Sequence, residues 1–325
     1  MADSIWQTYP VIDQHLKQVK TVMLAEINIG QRDIQQKIEE YIHASGKYLR
    51  AGLCLLFSLI KEGKISEDKL YLAAAIETFH LATLIHDDVI DHSPLRRNIE
   101  AIQQSHSNRI AIYAGDYLLV TAAHLVAKTS FDRQSEVSFN WAGESILEGE
   151  LLQLTNQYNP QMTFPHYLKQ IRGKTALLFA LSTYAGYYQS RATKRINKRA
   201  FYVGEDIGMF FQLTDDLIDY RSDSQLSGKP RLQDIRNGIY SAPILYSLQK
   251  YPRLLEQISQ KDSLSDQDCE MIYQQVIAAG GIEATIKLVE RYQDRIQQKL
   301  AKLPGQTVYI QQVEEIIAGL GQRQK

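Results

Sequence analysis

SEDKLYLAAAIETFHLATLIHDDVID, residues 66–91, and KRAFYVGEDIGMFFQLTDDLIDY, residues 198–220, decide the fold. Both are long helical patterns, hydrophobic on most faces, and such helices belong inside a bundle. Each ends in the same arrangement of acids: Asp87, Asp88 and Asp91 in the first, Asp215, Asp216 and Asp219 in the second. Working outward, residues 12–43 are polar with spaced apolar positions, as an outer helix requires. GKYLRAGLCLLFSLI at 46–60 turns from basic to apolar. Further helical patterns cover about 103–128, 133–155 and 164–187, and shorter helices fill 238–320. β-Branched alternation is scarce and tight hairpin signals are absent. The expectation is an all-α bundle in which outer helices surround the two aspartate-bearing ones.

Composition narrows the function classes. The chain has 325 residues and shows no Pro-, Gly- and Ser-rich break and no fixed repeat, so residues 1–325 read as a single domain. Lys and Arg total 36 against 37 Asp and Glu, a net charge of −1 that gives no case for nucleic acid binding. Cys54 and Cys269 form no metal or disulfide framework and read as reduced thiols of a cytoplasmic protein. The N-terminal stretch lacks the basic-then-apolar pattern of a signal peptide. The most apolar window, 111–127, is interrupted by Asp116 and is short for a membrane span. A greasy substrate would still bring the protein transiently to a membrane surface.

The two acidic clusters carry the chemistry. In each, the outer aspartates are four residues apart and share a helix face about one turn apart; the middle one lies roughly 100° round the axis. Both clusters sit near helix C-termini, where the dipole disfavours negative charge, and like charges four apart repel. Burying such groups without partners is expensive. Hard divalent cations supply the missing charge, and Mg2+ in particular takes a few carboxylates together with substrate phosphates and water. Facing clusters would hold Mg2+ against a diphosphate and stabilise it as a leaving group. One such cluster alone could be a solvated helix end; two with such similar surroundings are not. A calcium loop is excluded because the alternating acids and central glycine are missing.

Diphosphate also needs cations from the protein. Lys47 and Arg50 lie in SGKYLRAG, Arg96 and Arg97 directly follow the first cluster, Lys174 lies in RGKTALL, and Lys229 follows the second cluster. His80 stands two turns before Asp87, and Gln212 stands three residues before Asp215 on the same face. Asp116 and Glu150 are acids within apolar helical segments and are expected to stabilise buried basic residues. Gly46–Lys47 is not a P-loop, because the glycine spacing is absent.

With these residues in view, the chain resembles the trans-polyprenyl diphosphate synthases, as a medium- or long-chain member. GKYLR, HLATLIHDDVIDHSPLRR, AGDYLL, GELLQL, GKTALL and GMFFQLTDDLIDY occur in that family's order over about 43–245. The resemblance implies an isoprenoid synthase bundle around a central cavity, working as a homodimer. It implies a prenyltransferase that condenses an allylic diphosphate with isopentenyl diphosphate by Mg2+-assisted ionisation. By the same resemblance Asp87, Asp91 and Asp215 match magnesium ligands, supported by Asp88, Asp216 and Asp219. Lys47, Arg50, His80 and Arg97 match the isopentenyl diphosphate site; Arg96, Lys174 and Lys229 match the allylic site. Thr175 and Gln212 match residues that seat the reacting end, and Asp234 lies in the loop that closes over it. The chain departs from the family pattern at Tyr48, where a basic residue is usual, at Asn98 after the arginine pair, and at Ile239 where many members have lysine.

Product length should follow the depth of the cavity below Asp87. Ala82 and Thr83 are small where short-chain relatives often carry an aromatic plug. Phe79 lies three residues beyond Ala82, about 4.5 Å along the axis, and is the expected floor, with Ile76 a similar step further. This predicts an intermediate product. The alternatives are a catalytic large subunit that needs a small partner, and a noncatalytic prenyl-diphosphate-binding subunit. A terpene cyclase would carry a different second metal motif.

Overall fold

The structure, a computed structural model, describes residues 5–44, 46–96, 99–221, 232–261 and 263–322. Arg97 and Lys229 lie outside the described residues. The expected helices are present with sharper limits. The outer pattern at 12–43 is two helices, Pro10–Glu26 and Arg32–His43. They are separated at Ile27, where the backbone is extended (φ −94°, ψ 111°). The aspartate helices are Glu67–Ile90 and Lys194–Arg221. The pattern at 164–187 is interrupted by a π-helical turn, Arg172–Ala176. Among the described residues the only sheet is a ribbon that the sequence reading omits. It pairs Leu95 with Glu100 and Arg96 with Ile99, antiparallel.

The chain clusters into two compact units. The first comprises Met1–Trp141, Leu181–Phe201 and Leu303–Val313; the second comprises Ala142–Ala180, Tyr202–Lys302 and Glu314–Lys325. In the first unit the Glu67–Ile90 helix packs on Pro10–Glu26, Leu49–Glu62 and Asn108–Ala127. Leu53, Cys54, Leu55, Leu56 and Phe57 are consecutive and fully buried, which explains the all-round apolar character of that segment. Gly186 sits against the backbone there: a Cβ at that position would lie 2.0 Å from the Cys54 carbonyl oxygen. Lys69 is buried, and its ammonium donates to the carbonyls of Ala185 (2.7 Å) and Tyr188 (2.8 Å). A cation at the end of the Leu177–Tyr187 helix suits both the exposed carbonyls and the dipole.

The apolar window at 111–127 belongs to a helix that starts earlier, Asn108–Ala127. By length and composition this helix could cross a membrane, with 44% of its most apolar window buried in the protein. Its outer face carries Ile112, Tyr113 and Val120, all exposed. In the second unit, the half of the long helix that runs to Arg221 packs on the residues around the π turn. A Cβ on Gly208 would lie 2.4 Å from the Ala176 Cα, and Phe179 and Phe211 have ring centroids 5.3 Å apart. Asp206, buried in that helix, is held by Arg295 (2.8 Å) and Lys299 (2.5 Å) of Gly281–Leu300.

Overpacking a backbone contact costs about 1–3 kcal/mol. Gly186→Ala is expected to fall at the upper end of that range, measured by urea unfolding, because a carbonyl cannot rotate away as a side chain can. A change within about 0.5 kcal/mol, the usual surface value, would contradict the close approach.

Candidate active site

The first aspartate cluster lies on the last turn of its helix, and its three members have different surroundings. Asp91 is the helix C-cap. His92 follows in the left-handed region (φ 50°). The Ser93 N–H donates to the Asp88 carbonyl (3.0 Å) and the His92 N–H to that of Val89 (3.4 Å), which together make a Schellman ending. The buried amide of Gln103 donates to the carbonyls of Asp88 (2.8 Å) and Ser93 (2.6 Å) and pins the turn. Asp87 is half-buried and Asp91 exposed, while Asp88 is buried. Asp88 accepts two bonds from Arg96 Nε (2.9 and 3.0 Å) and a further contact from the guanidinium. Burial pushes the Asp88 carboxyl above the usual carboxylate range, and the Arg96 guanidinium opposes that rise. The ribbon at 95–100 is what turns Arg96 back onto the helix end.

In the same unit the structure brings Arg50 and His80 together, Nη1 to Nε2 at 3.0 Å. Arginine can only donate, so the His80 Nε2 is the unprotonated acceptor of that pair. Arg50 opens the Leu49–Glu62 helix, where the buried Glu77 carboxylate accepts the Ala51 N–H (3.0 Å). Acid at a helix N-terminus is the favourable end for it. Lys47 is exposed just before. Tyr48, where the family pattern has a basic residue, has left-handed backbone (φ 44°) and donates its hydroxyl to the Ile42 carbonyl (2.6 Å). The Lys20 ammonium lies 4.5 Å from its ring centroid. Thr83 bonds the His80 carbonyl (2.8 Å), and Ala82 and Phe79 are buried. Phe79 meets Phe139 edge to face, with centroids 5.6 Å apart and planes at 88°.

The second unit gathers more acid than the motif alone suggested. Asp215 is exposed, Asp219 half-buried and Asp216 buried. Asp216 accepts from the Tyr167 hydroxyl, from Gln212 Nε2 (3.1 Å) and from the Ala242 N–H (3.3 Å). Gln212 in turn accepts from the Thr175 hydroxyl (2.7 Å). Asp219 accepts the Gln233 N–H (3.1 Å), and its other oxygen is buried with no hydrogen-bond partner. Burial pushes the Asp216 and Asp219 carboxyls up. Asp234 is pushed up to about 8, by burial first and then by Asp219 and Asp216. Lys174 is the cation that opposes this rise. Its ammonium also bridges Glu150 (2.8 Å). That geometry needs two glycines: a Cβ on Gly149 would lie 2.5 Å from the Lys174 N and 2.8 Å from the Gly173 Cα. The π turn that carries Lys174 and Thr175 thus crosses the Glu150 helix at backbone contact.

The sequence reading placed Glu150 correctly as the partner of a basic residue. Asp116 is different: it is exposed and faces His86 Nε2 at 3.3 Å. Tyr167, Gln103 and Glu77 were missed, because a buried tyrosine, glutamine or glutamate leaves no periodic mark. Asp234 was read as a loop residue; the fold makes it the fourth acid of the second cluster.

The donor set fits a hard divalent cation. A buried carboxylate oxygen without a partner, beside acids raised by burial and, for Asp234, by neighbouring acids as well, is a site short of positive charge. Among the described residues no three such side chains form a preassembled cage. That is compatible with Mg2+, which draws on substrate oxygens and water.

An all-helical chain with two such aspartate helices and their attendant cations defines a class of enzyme that handles diphosphates. A family model described as polyprenyl synthetase matches residues 31–276. Heptaprenyl diphosphate synthase component 2 of Bacillus subtilis is 31% identical, over 90% of this chain and 87% of its own length. The structure of geranylgeranyl pyrophosphate synthase from Lactobacillus brevis superposes with a TM-score of 0.90 at 34% identity, covering 98% of this chain and 99% of the other. That of a polyprenyl synthase from Caulobacter crescentus, complexed with calcium and isoprenyl diphosphate, gives 0.87 at 27% identity over 100% and 99%. The chain belongs to the polyprenyl synthetase family, the trans-polyprenyl diphosphate synthases, and is a prenyltransferase. Its fold is the all-α isoprenoid synthase bundle.

In metal-free buffer Asp234 keeps its proton in the folded chain to about pH 8, against an ordinary 3.8. The folded state then binds the extra proton across that window, so this residue's contribution to stability falls as pH rises through it. Asp234→Asn is expected to raise the melting temperature more at pH 8 than at pH 5. An equal gain at both, or a loss, would contradict the assignment.

Proposed function

We propose that residues 1–325 act as a single synthase domain, dependent on Mg2+, that extends an allylic diphosphate with isopentenyl diphosphate to a polyprenyl diphosphate of roughly C25–C35. Asp87, Asp91 and Asp215 would hold the metal, with Asp88, Asp216 and Asp219 in support. Bound there, Mg2+ neutralises the diphosphate and makes it a better leaving group. Lys47, Arg50, His80 and Arg97 seat isopentenyl diphosphate. Arg96, Lys174 and Lys229 seat the allylic diphosphate, and Thr175 and Gln212 hold its reacting end. Arg97 and Lys229 enter on the family resemblance alone. The calcium and isoprenyl diphosphate named for the Caulobacter relative support this assignment of metal and substrate. The allylic C–O bond breaks to give a carbocation and diphosphate. The double bond of isopentenyl diphosphate attacks the cation, and the departing diphosphate takes the proton whose loss restores a double bond.

The support for the product length is the order of side chains along the first aspartate helix. Ala82 and Thr83 are small side chains within two turns of Asp87, and the buried Phe79 beyond them is braced edge to face by Phe139. Phe79 lies about 12 Å along the axis from Asp87 at 1.5 Å per residue. The exposed Ile112, Tyr113 and Val120 on the Asn108–Ala127 helix support a homodimer that covers them. We place the enzyme in the cytoplasm, meeting the membrane surface transiently as it releases its apolar product. A second reading rests on the Bacillus relative, which is one component of a heptaprenyl diphosphate synthase: this chain would be the catalytic large subunit of a two-component enzyme.

Purified chain with Mg2+, farnesyl diphosphate and excess isopentenyl diphosphate should give a product ladder that ends at one length by mass spectrometry. Phe79→Ala should extend that ladder. An unchanged distribution would sink the floor assignment. Failure of the wild type to elongate any allylic starter would favour the two-component reading.

A further inference from the structure

Asp216 stands in the middle of the second motif, yet its oxygens are already taken. Oδ1 accepts from Gln212 (3.1 Å); Oδ2 accepts from Tyr167 and from the Ala242 N–H (3.3 Å). The carboxylate is fully buried, as are Tyr167 and Ala242. Asp215, its neighbour in sequence, is exposed. The two therefore have different surroundings, as the helical rotation of about 100° between adjacent residues requires.

The bonds also fix orientation further along. The Gln212 amide has one donor end and one acceptor end. Its nitrogen faces Asp216, so its oxygen must face Thr175, whose hydroxyl donates to it at 2.7 Å. The Thr175 proton is thereby committed, next to Lys174 in the π turn. Tyr167 is placed for this by the short Phe164–Ile171 helix. The N-cap Thr163 accepts the His166 N–H (3.4 Å), and Pro165 lies in the first turn.

We propose that Tyr167 and Asp216 are positioning residues: Tyr167 holds Asp216, Asp216 sets the Gln212 amide, and Gln212 orients the Thr175 hydroxyl. Asp216 is on this account an internal anchor and not a metal ligand. The proposal rests on the roles given above to Thr175 and Gln212 in seating the allylic end. Tyr167 acts only through its neighbours.

The test is Tyr167→Phe, which removes one oxygen and no volume of ring. The kcat should fall about 10–100-fold, the usual effect of losing such a supporting bond, with KM for both substrates within about two-fold. Binding of inorganic diphosphate in the presence of Mg2+, followed by calorimetry, should be unchanged. Because the effect runs through Gln212, Tyr167→Phe with Gln212→Ala should be no slower than Gln212→Ala alone. Thr175→Val breaks the chain from its other end and should be non-additive with Gln212→Ala in the same way, which keeps the test open if Tyr167→Phe fails to fold. Independent, multiplying losses would overturn the proposal. So would weakened Mg2+–diphosphate binding in Tyr167→Phe, which would put Asp216 among the metal ligands. An active wild type indifferent to Tyr167→Phe sinks this proposal alone; an inactive wild type sinks the functional reading beneath it as well.

Discussion

Carboxylates at the C-terminal ends of apolar helices are held where both the dipole and burial work against their charge. The rest of the site follows from that constraint. In the first cluster the most buried acid, Asp88, is neutralised from within the chain: a Schellman ending and a two-residue ribbon bring Arg96 back to it. In the second, Asp216 is satisfied among the described residues by three neutral donors. The remaining acids of each motif stay more open, and in the second cluster Asp219 and Asp234 are raised by burial and, for Asp234, by other acids. The middle acids are thus buried and satisfied from within the chain, while the outer acids are more exposed.

Small residues make the cationic side of the site possible. Lys174 reaches Glu150 because Gly149 and Gly173 let two backbones touch, and Gly208 gives the second aspartate helix the same closeness to Ala176. The π turn adds one residue to the helical register at Arg172–Ala176, which is where Lys174 and Thr175 are presented. A single methyl group at either contact would have to push backbone against backbone, which ties the placement of Lys174 and Thr175 to the packing.

The all-helical fold was legible in the sequence because apolar residues recur around the whole circumference of 66–91 and 198–220, and Leu72 to Ile76, Leu213 and Leu217 are indeed core. The special standing of the middle aspartates was half legible: a 100° rotation says that Asp88 and Asp216 face elsewhere, but not what they meet. Arg96 is eight residues from its partner across a ribbon with no strand pattern, and Tyr167 is 49 residues from its own. The break at Ile27 escaped notice because the flanking polar pattern continues across it. Asp116 sits in an apolar stretch, which suggested a buried basic partner; it lies instead on the exposed face with Ile112, Tyr113 and Val120, and meets His86.

On the function proposed above, Asp87 and Asp215 hold a divalent cation that a diphosphate shares. Calorimetric titration of inorganic diphosphate into the purified chain, with and without Mg2+, tests it most directly. The account predicts binding that requires Mg2+ and is lost in Asp87→Asn and in Asp215→Asn. Binding of equal strength without the metal, or binding indifferent to both substitutions, would contradict it.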